Sequence, residues 1–140
     1  MWISNASYEK AKQSIEESLH KLDVGYIDLM LTNWPGNLLY KHNDERNAEI
    51  RQETWRALEE YHDSGDIKAI GVANYLPKHL EELKECAVQP SVNQIELHPL
   101  YQEQDTIDYC RKHDIQIVAY SSLMKGDPRL LEHPEILALA

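Results

Sequence analysis

Helical periods alternate with short apolar runs, the later units recur about every 24 residues, and a polar cluster closes each apolar run. These three observations predict an α/β fold of parallel (β/α) units, equivalent to about four strands of a partial, half TIM barrel. One domain is expected over residues 1–140, well short of the roughly 250 residues of a complete eight-stranded barrel.

The elements follow in order. Tyr8 to Leu22 carries Ala11, Ile15, Leu19 and Leu22 at a 3/4 spacing, which makes one helix face; Ser7 is the expected N-cap and Gly25 the exit. Tyr26 to Leu31 is an apolar run of strand length interrupted only by Asp28. Asn37 to Arg46 is polar and reads as a loop above the strand end. Asn47 to Asp63 predicts a second helix with Ile50, Trp55, Leu58 and Tyr61 inward and Gly65 closing it. Ile67 to Val72 is the next strand. Pro77 opens a helix facing inward with Leu80, Leu83 and Ala87, since proline suits a first-turn position. Ser91 to Glu96 is a strand, Asp105 to His113 a helix packed by Ile107 and Cys110, and Ile115 to Ala119 a strand. Leu130, Leu131, Ile136 and Leu137 predict one last helix.

Composition excludes several classes of function. The formal charge is −10, from 24 acidic against 14 basic residues, so neither a nucleic-acid backbone nor an anionic membrane is an expected partner. No apolar run approaches the ~20 residues of a membrane span. Cys86 and Cys110 are expected to be buried, reduced thiols in a cytoplasmic protein. The seven histidines fall at no metal-ligand spacing and are expected on polar faces or turns, so no metal is predicted. The five glycines form neither a phosphate loop nor a Gly-x-Gly-x-x-Gly.

The chemistry-bearing clusters are Leu31-Thr32-Asn33-Trp34-Pro35-Gly36, Gly71-Val72-Ala73-Asn74-Tyr75, Asn93-Gln94-Ile95-Glu96-Leu97-His98-Pro99 and Ala119-Tyr120-Ser121-Ser122-Leu123. Each sits at a strand's C-terminal end, where parallel barrels assemble their sites. Asn74 and Gln94 each offer an amide donor and acceptor, or simply cap strand ends. Tyr120 offers an aromatic platform, or a core ring. Glu96 is a strand-end carboxylate that fits an acid–base role or a structural pairing.

In these four motifs, in order and spacing, the sequence closely resembles the aldo-keto reductases, from the third helix of the barrel through its seventh strand. The resemblance implies NADPH-dependent reduction of aldehydes and ketones to alcohols. It implies cofactor contacts at Asn74 and Gln94 with the nicotinamide carboxamide, at Tyr120 stacked on the ring, and at Ser121 and Leu123 around the pyrophosphate. The family's tyrosine, lysine and aspartate are expected on segments these 140 residues do not contain, the lysine just before the tryptophan matched by Trp2. Asn33 stands at the histidine position, as a vestigial group or a solvated loop residue. Ala73 and Ser122 replace a frequent serine and proline. The chain by itself is therefore expected to be inactive and to bind NADPH weakly. The alternatives are a non-catalytic truncated homologue or a half-barrel interaction module. Open sheet edges predict a homo-oligomer or swapped dimer that buries Ile70, Val72, Val92 and Val118.

Overall fold

In the computed structural model, residues 7–36, 40–41 and 44–139 are described. Trp2 and half of the predicted 37–46 loop lie outside them. Helix α1 spans Tyr8–Leu22, strand β1 Ile27–Thr32, α2 Arg46–Asp63, β2 Ile67–Ala73, α3 Pro77–Glu81, β3 Val92–Glu96, α4 Gln104–Lys112 and β4 Gln116–Tyr120. Three short turns of helix follow: a 3-10 turn at Met124–Gly126, α5 at Pro128–Leu131 and α6 at Pro134–Leu137.

The strands form one sheet in the order β1-β2-β3-β4, and every pairing is parallel. This is the half-barrel expected from the repeat. Local signals behave as their chemistry requires. The Ser7 side chain accepts from the Lys10 amide, and Pro77 occupies the first turn of α3. Gly65 takes φ +85 after α2 and returns its N–H to the His62 carbonyl. The last turn of α1 closes earlier than expected, at Asp23 with φ 50, ahead of Gly25.

Strand residues alternate between the two faces. Met30, Ile70 and Val72 point into the helix layer and join Ile15, Trp55, Leu58, Leu80, Leu83 and Cys110 in the core. Ile70 and Val72 are fully buried within this chain. With Val92 also buried, these residues are not surfaces for a partner, contrary to the expectation from the sequence. The concave face carries the alternate set, including the half-buried Leu31 and Val118 and the exposed Leu29. Gly71 lies on that face because nothing larger fits: an added Cβ would stand 2.7 Å from both Leu31 Cδ2 and the Val92 carbonyl oxygen.

Other departures have plain causes. The helix from Pro77 ends at Glu81, leaving Ala87 exposed, and α2 instead receives the following segment. There Trp55 Nε1 donates to the Val88 carbonyl at 2.9 Å, and the Val88 amide donates to Glu59 at 2.9 Å. The inward face of α2 is partly polar, with Asn47, Arg51 and Thr54 buried, while Ile50 and Tyr61 are only half-buried. Pro134 divides the predicted last helix into two single turns, since proline cannot continue a helix that already needs its N–H. Cys110 is buried, but Cys86 is only half-buried; both are free thiols. His79 and His98 are buried, contrary to the polar-face expectation.

Candidate functional site

The C-terminal ends of β1, β2 and β4 are joined by one side chain. Asn74, just after β2, adopts φ 62, a left-handed conformation that asparagine tolerates better than most residues. Its main-chain N–H reaches the Gln94 carbonyl at 2.9 Å, which extends the sheet by one bond. Its Nδ2 donates to the Asn33 carbonyl at 2.8 Å, and its Oδ1 accepts from the Tyr120 hydroxyl at 2.8 Å. The amide thus spans from β1 to β4 over the end of β3.

Gln94 lies beneath this bridge, in register with Ala73 on one side and Val118 on the other. Its side chain shares the concave face with Tyr120, because the two occupy alternate positions across the pair Gln94–Val118 and Glu96–Tyr120. Tyr120 is half-buried. Burial, with the Glu96 and Glu103 carboxylates nearby, raises its hydroxyl above the usual phenol range, so it stays protonated and able to donate.

Ser121 follows with φ 51, and Met124, Lys125 and Gly126 also take positive φ. Non-glycine residues in this region carry strain that clusters at ligand-binding loops. Leu123 is 65% exposed on that loop, beyond the Asn74–Tyr120 bridge.

Of the residues singled out from sequence, the structure brings together Asn33, Asn74, Gln94 and Tyr120, with Ser121 adjoining. Asn33 enters through its main-chain carbonyl, a contact any residue at that position could offer. Glu96 is partly exposed, its Oε1 3.5 Å from His98 Nε2. Among the described residues no group of three or more His, Cys, Asp or Glu side chains could hold a metal ion. No helix among them is long and apolar enough to cross a membrane.

Sequence reasoning missed the polar groups on the helix side of the sheet. Asn93 is fully buried; its Nδ2 donates to the Tyr75 carbonyl at 2.9 Å and its Oδ1 accepts from the Tyr75 amide at 3.4 Å, which locks the chain after Asn74. The signal was available: next to Gln94 in a strand, Asn93 must face the opposite layer. Arg51 is likewise buried, against Glu82. Its position four residues before Trp55 places it on the apolar face of α2, which marks a charge needing a partner.

Two amides and an aromatic ring at adjacent strand ends suit a flat ring bearing a carboxamide, by the donors and acceptors they present. Comparison with known proteins gives the family. The model of the aldo/keto reductase family matches residues 1–129. The glyoxal reductase of Bacillus subtilis (strain 168) is 39% identical over 141 aligned positions, covering all of this chain and 46% of that protein. The crystal structure of an aldo/keto reductase from Brucella melitensis superposes with a TM-score of 0.85 at 36% identity, covering 100% of this chain and 50% of that one. A silkworm aldo-keto reductase crystallised in complex with NADPH superposes with a TM-score of 0.74 at 32% identity, covering 86% of this chain and 37% of that one. The chain spans half or less of the length of these relatives. With the parallel strands, the polar strand ends and this family match in agreement along nearly the whole sequence, the chain belongs to the aldo/keto reductase family.

Proposed function

We propose that this chain forms the nicotinamide-side wall of an NADP(H) site used to reduce aldehydes or ketones to alcohols. The observation that carries this reading is the Asn74 amide, bridged to Tyr120 at 2.8 Å over the end of β3. Asn74 and Gln94 hold the carboxamide, Tyr120 offers its ring as a platform, and the Ser121–Leu123 loop lies along the pyrophosphate. Bound NADPH would supply the hydride. Each end of the Asn74 side chain carries one hydrogen bond, to the Asn33 carbonyl and from the Tyr120 hydroxyl, which leaves one N–H and one Oδ1 lone pair for a carboxamide. A cytoplasmic setting is part of the proposal and agrees with two free thiols at Cys86 and Cys110.

For the 140 residues acting by themselves we propose weak dinucleotide binding and no carbonyl turnover. Asn33 stands where the family resemblance implies a histidine, and an amide neither takes up nor gives up a proton near neutral pH. Titration of tryptophan fluorescence, with Trp34 next to Asn33 and 45% exposed, tests binding. Saturable quenching is expected, with NADPH and NADH differing by less than about tenfold, 1.4 kcal/mol. No quenching and no rise in melting temperature with either nucleotide would overturn the reading. Aldehyde reduction at ordinary enzyme rates of about 1–10³ per second would overturn the proposed inactivity.

A second reading, a half-barrel interaction module, is favoured by one observation: among the described residues β1 and β4 each pair on one side only. The two readings are compatible, since a partner on those edges would leave the strand ends in place.

A further inference from the structure

Behind the amide bridge, on the helix side of the sheet, a buried guanidinium reaches the same strand end. Arg51 is 6% exposed. Its Nε and Nη2 form a two-pronged pair with the Glu82 carboxylate, both at 2.6 Å, and its Nη1 donates to the Pro35 carbonyl. One turn earlier on α2, the buried Asn47 donates from Nδ2 to the Lys41 carbonyl at 2.8 Å. Helix α2 therefore grips the chain at Pro35 and again at Lys41. Two residues before Pro35 stands Asn33, whose carbonyl receives Asn74 Nδ2.

Stability alone does not call for this arrangement. Burying a guanidinium costs desolvation, even with the Glu82 side chain left 28% exposed, and well-packed apolar residues often replace such a pair without loss. A guanidinium fork does supply fixed direction, with its three nitrogens committed to three acceptor oxygens on two residues. Neighbouring His79 is held neutral, its pKa lowered to about 4 by burial and then by Arg51, so it does not compete for the Glu82 charge.

We propose that Arg51 is a positioning residue for the ligand-facing amide: anchored by Glu82, it fixes the Pro35 carbonyl, hence the Asn33 carbonyl, hence the orientation of the Asn74 side chain. It rests on the reading that Asn74 faces the nicotinamide, but its first test does not require nucleotide.

In the full 140-residue chain, the side-chain NH₂ resonances of Asn74, assigned with an Asn74→Asp variant, report its hydrogen bond to Asn33. Arg51→Lys keeps the charge and loses the fork; Glu82→Gln keeps the fork and weakens its anchor. Both are expected to shift and broaden the Asn74 NH₂ resonances, Arg51→Lys more strongly, and to weaken NADPH binding about tenfold for Arg51→Lys. Unchanged Asn74 resonances in either folded variant would overturn the proposal, because a merely structural role lowers the melting temperature and leaves them in place. If Arg51→Lys fails to fold, Glu82→Gln decides alone. Should the wild-type chain bind no nucleotide, the function proposed above fails while the resonances still decide this inference.

Discussion

The Tyr120 hydroxyl donates to Asn74 Oδ1 at 2.8 Å across 46 residues of sequence, closing the concave end of the sheet with a bond that competes with a carboxamide ligand for that oxygen. A neutral hydrogen bond of this kind contributes about 0.5–1.5 kcal/mol net. Tyr120→Phe keeps the aromatic platform and removes that competition. It is expected to tighten NADPH binding by roughly 2–10-fold, whereas Tyr120→Ala is expected to weaken it. Fluorescence titration of both variants checks this; weaker binding by Tyr120→Phe would show that the hydroxyl itself helps to hold the ligand.

Gly71 tests the packing of the concave face. The Val92 carbonyl, 2.7 Å from an added Cβ, is main chain and cannot swing aside. Gly71→Ala should destabilise the chain by about 1–3 kcal/mol through local overpacking, read as a lower urea midpoint at unchanged slope. A midpoint equal to wild type would mean that β2 and β3 move apart freely at this position.

His79 should make the protein acid-sensitive. Its ring sits edge-on to Tyr75 at 5.8 Å, its Nδ1 accepts from the Leu76 amide, and Arg51, Lys78 and Glu82 are the charges that act on it. Burial and then Arg51 lower its pKa from 6.5 to about 4, so between these values the unfolded chain binds the extra proton. The stabilisation is complete above about pH 6.5 and is lost as pH falls toward about 4, on the order of 2 kcal/mol. His79→Gln, whose side-chain oxygen can still accept from Leu76, should lose less stability than wild type between pH 7 and 4.5. Parallel losses in urea titrations would assign the acid sensitivity to the carboxylates instead.

Self-association is the fourth expectation. Among the described residues β1 and β4 leave one edge each unpaired, and exposed strand edges template pairing with another chain. A groove of about 840 Å³ runs between α4 and the β4 side, with Ile107, Ile115 and Ile117 in its wall. We propose that a second copy covers these edges together with the concave Leu29, Leu31 and Val118. Light scattering of the purified chain at micromolar concentration should give a mass of at least two chains, and a monodisperse monomer would overturn this.

The order and type of the elements were legible from the sequence because they depend on local chemistry. A 3/4 apolar spacing, a serine cap at Ser7, Pro77 in a first turn and Gly65 after α2 act within a few residues of sequence. The candidate site was legible as residue types at strand ends, since a parallel strand–helix repeat brings those ends to one side. Only the tertiary structure decided which atoms meet. The Asn33 contribution is a main-chain carbonyl, and the amide of Asn74 is engaged on both sides. Ile70 and Val72 turned inward because register with β1 sets their face. The Arg51–Glu82 pair joins residues 31 apart, and His79 is buried beside it. Such contacts depend on how helices dock on the sheet, where burying a charge is tolerated only if a distant partner arrives at the right angle.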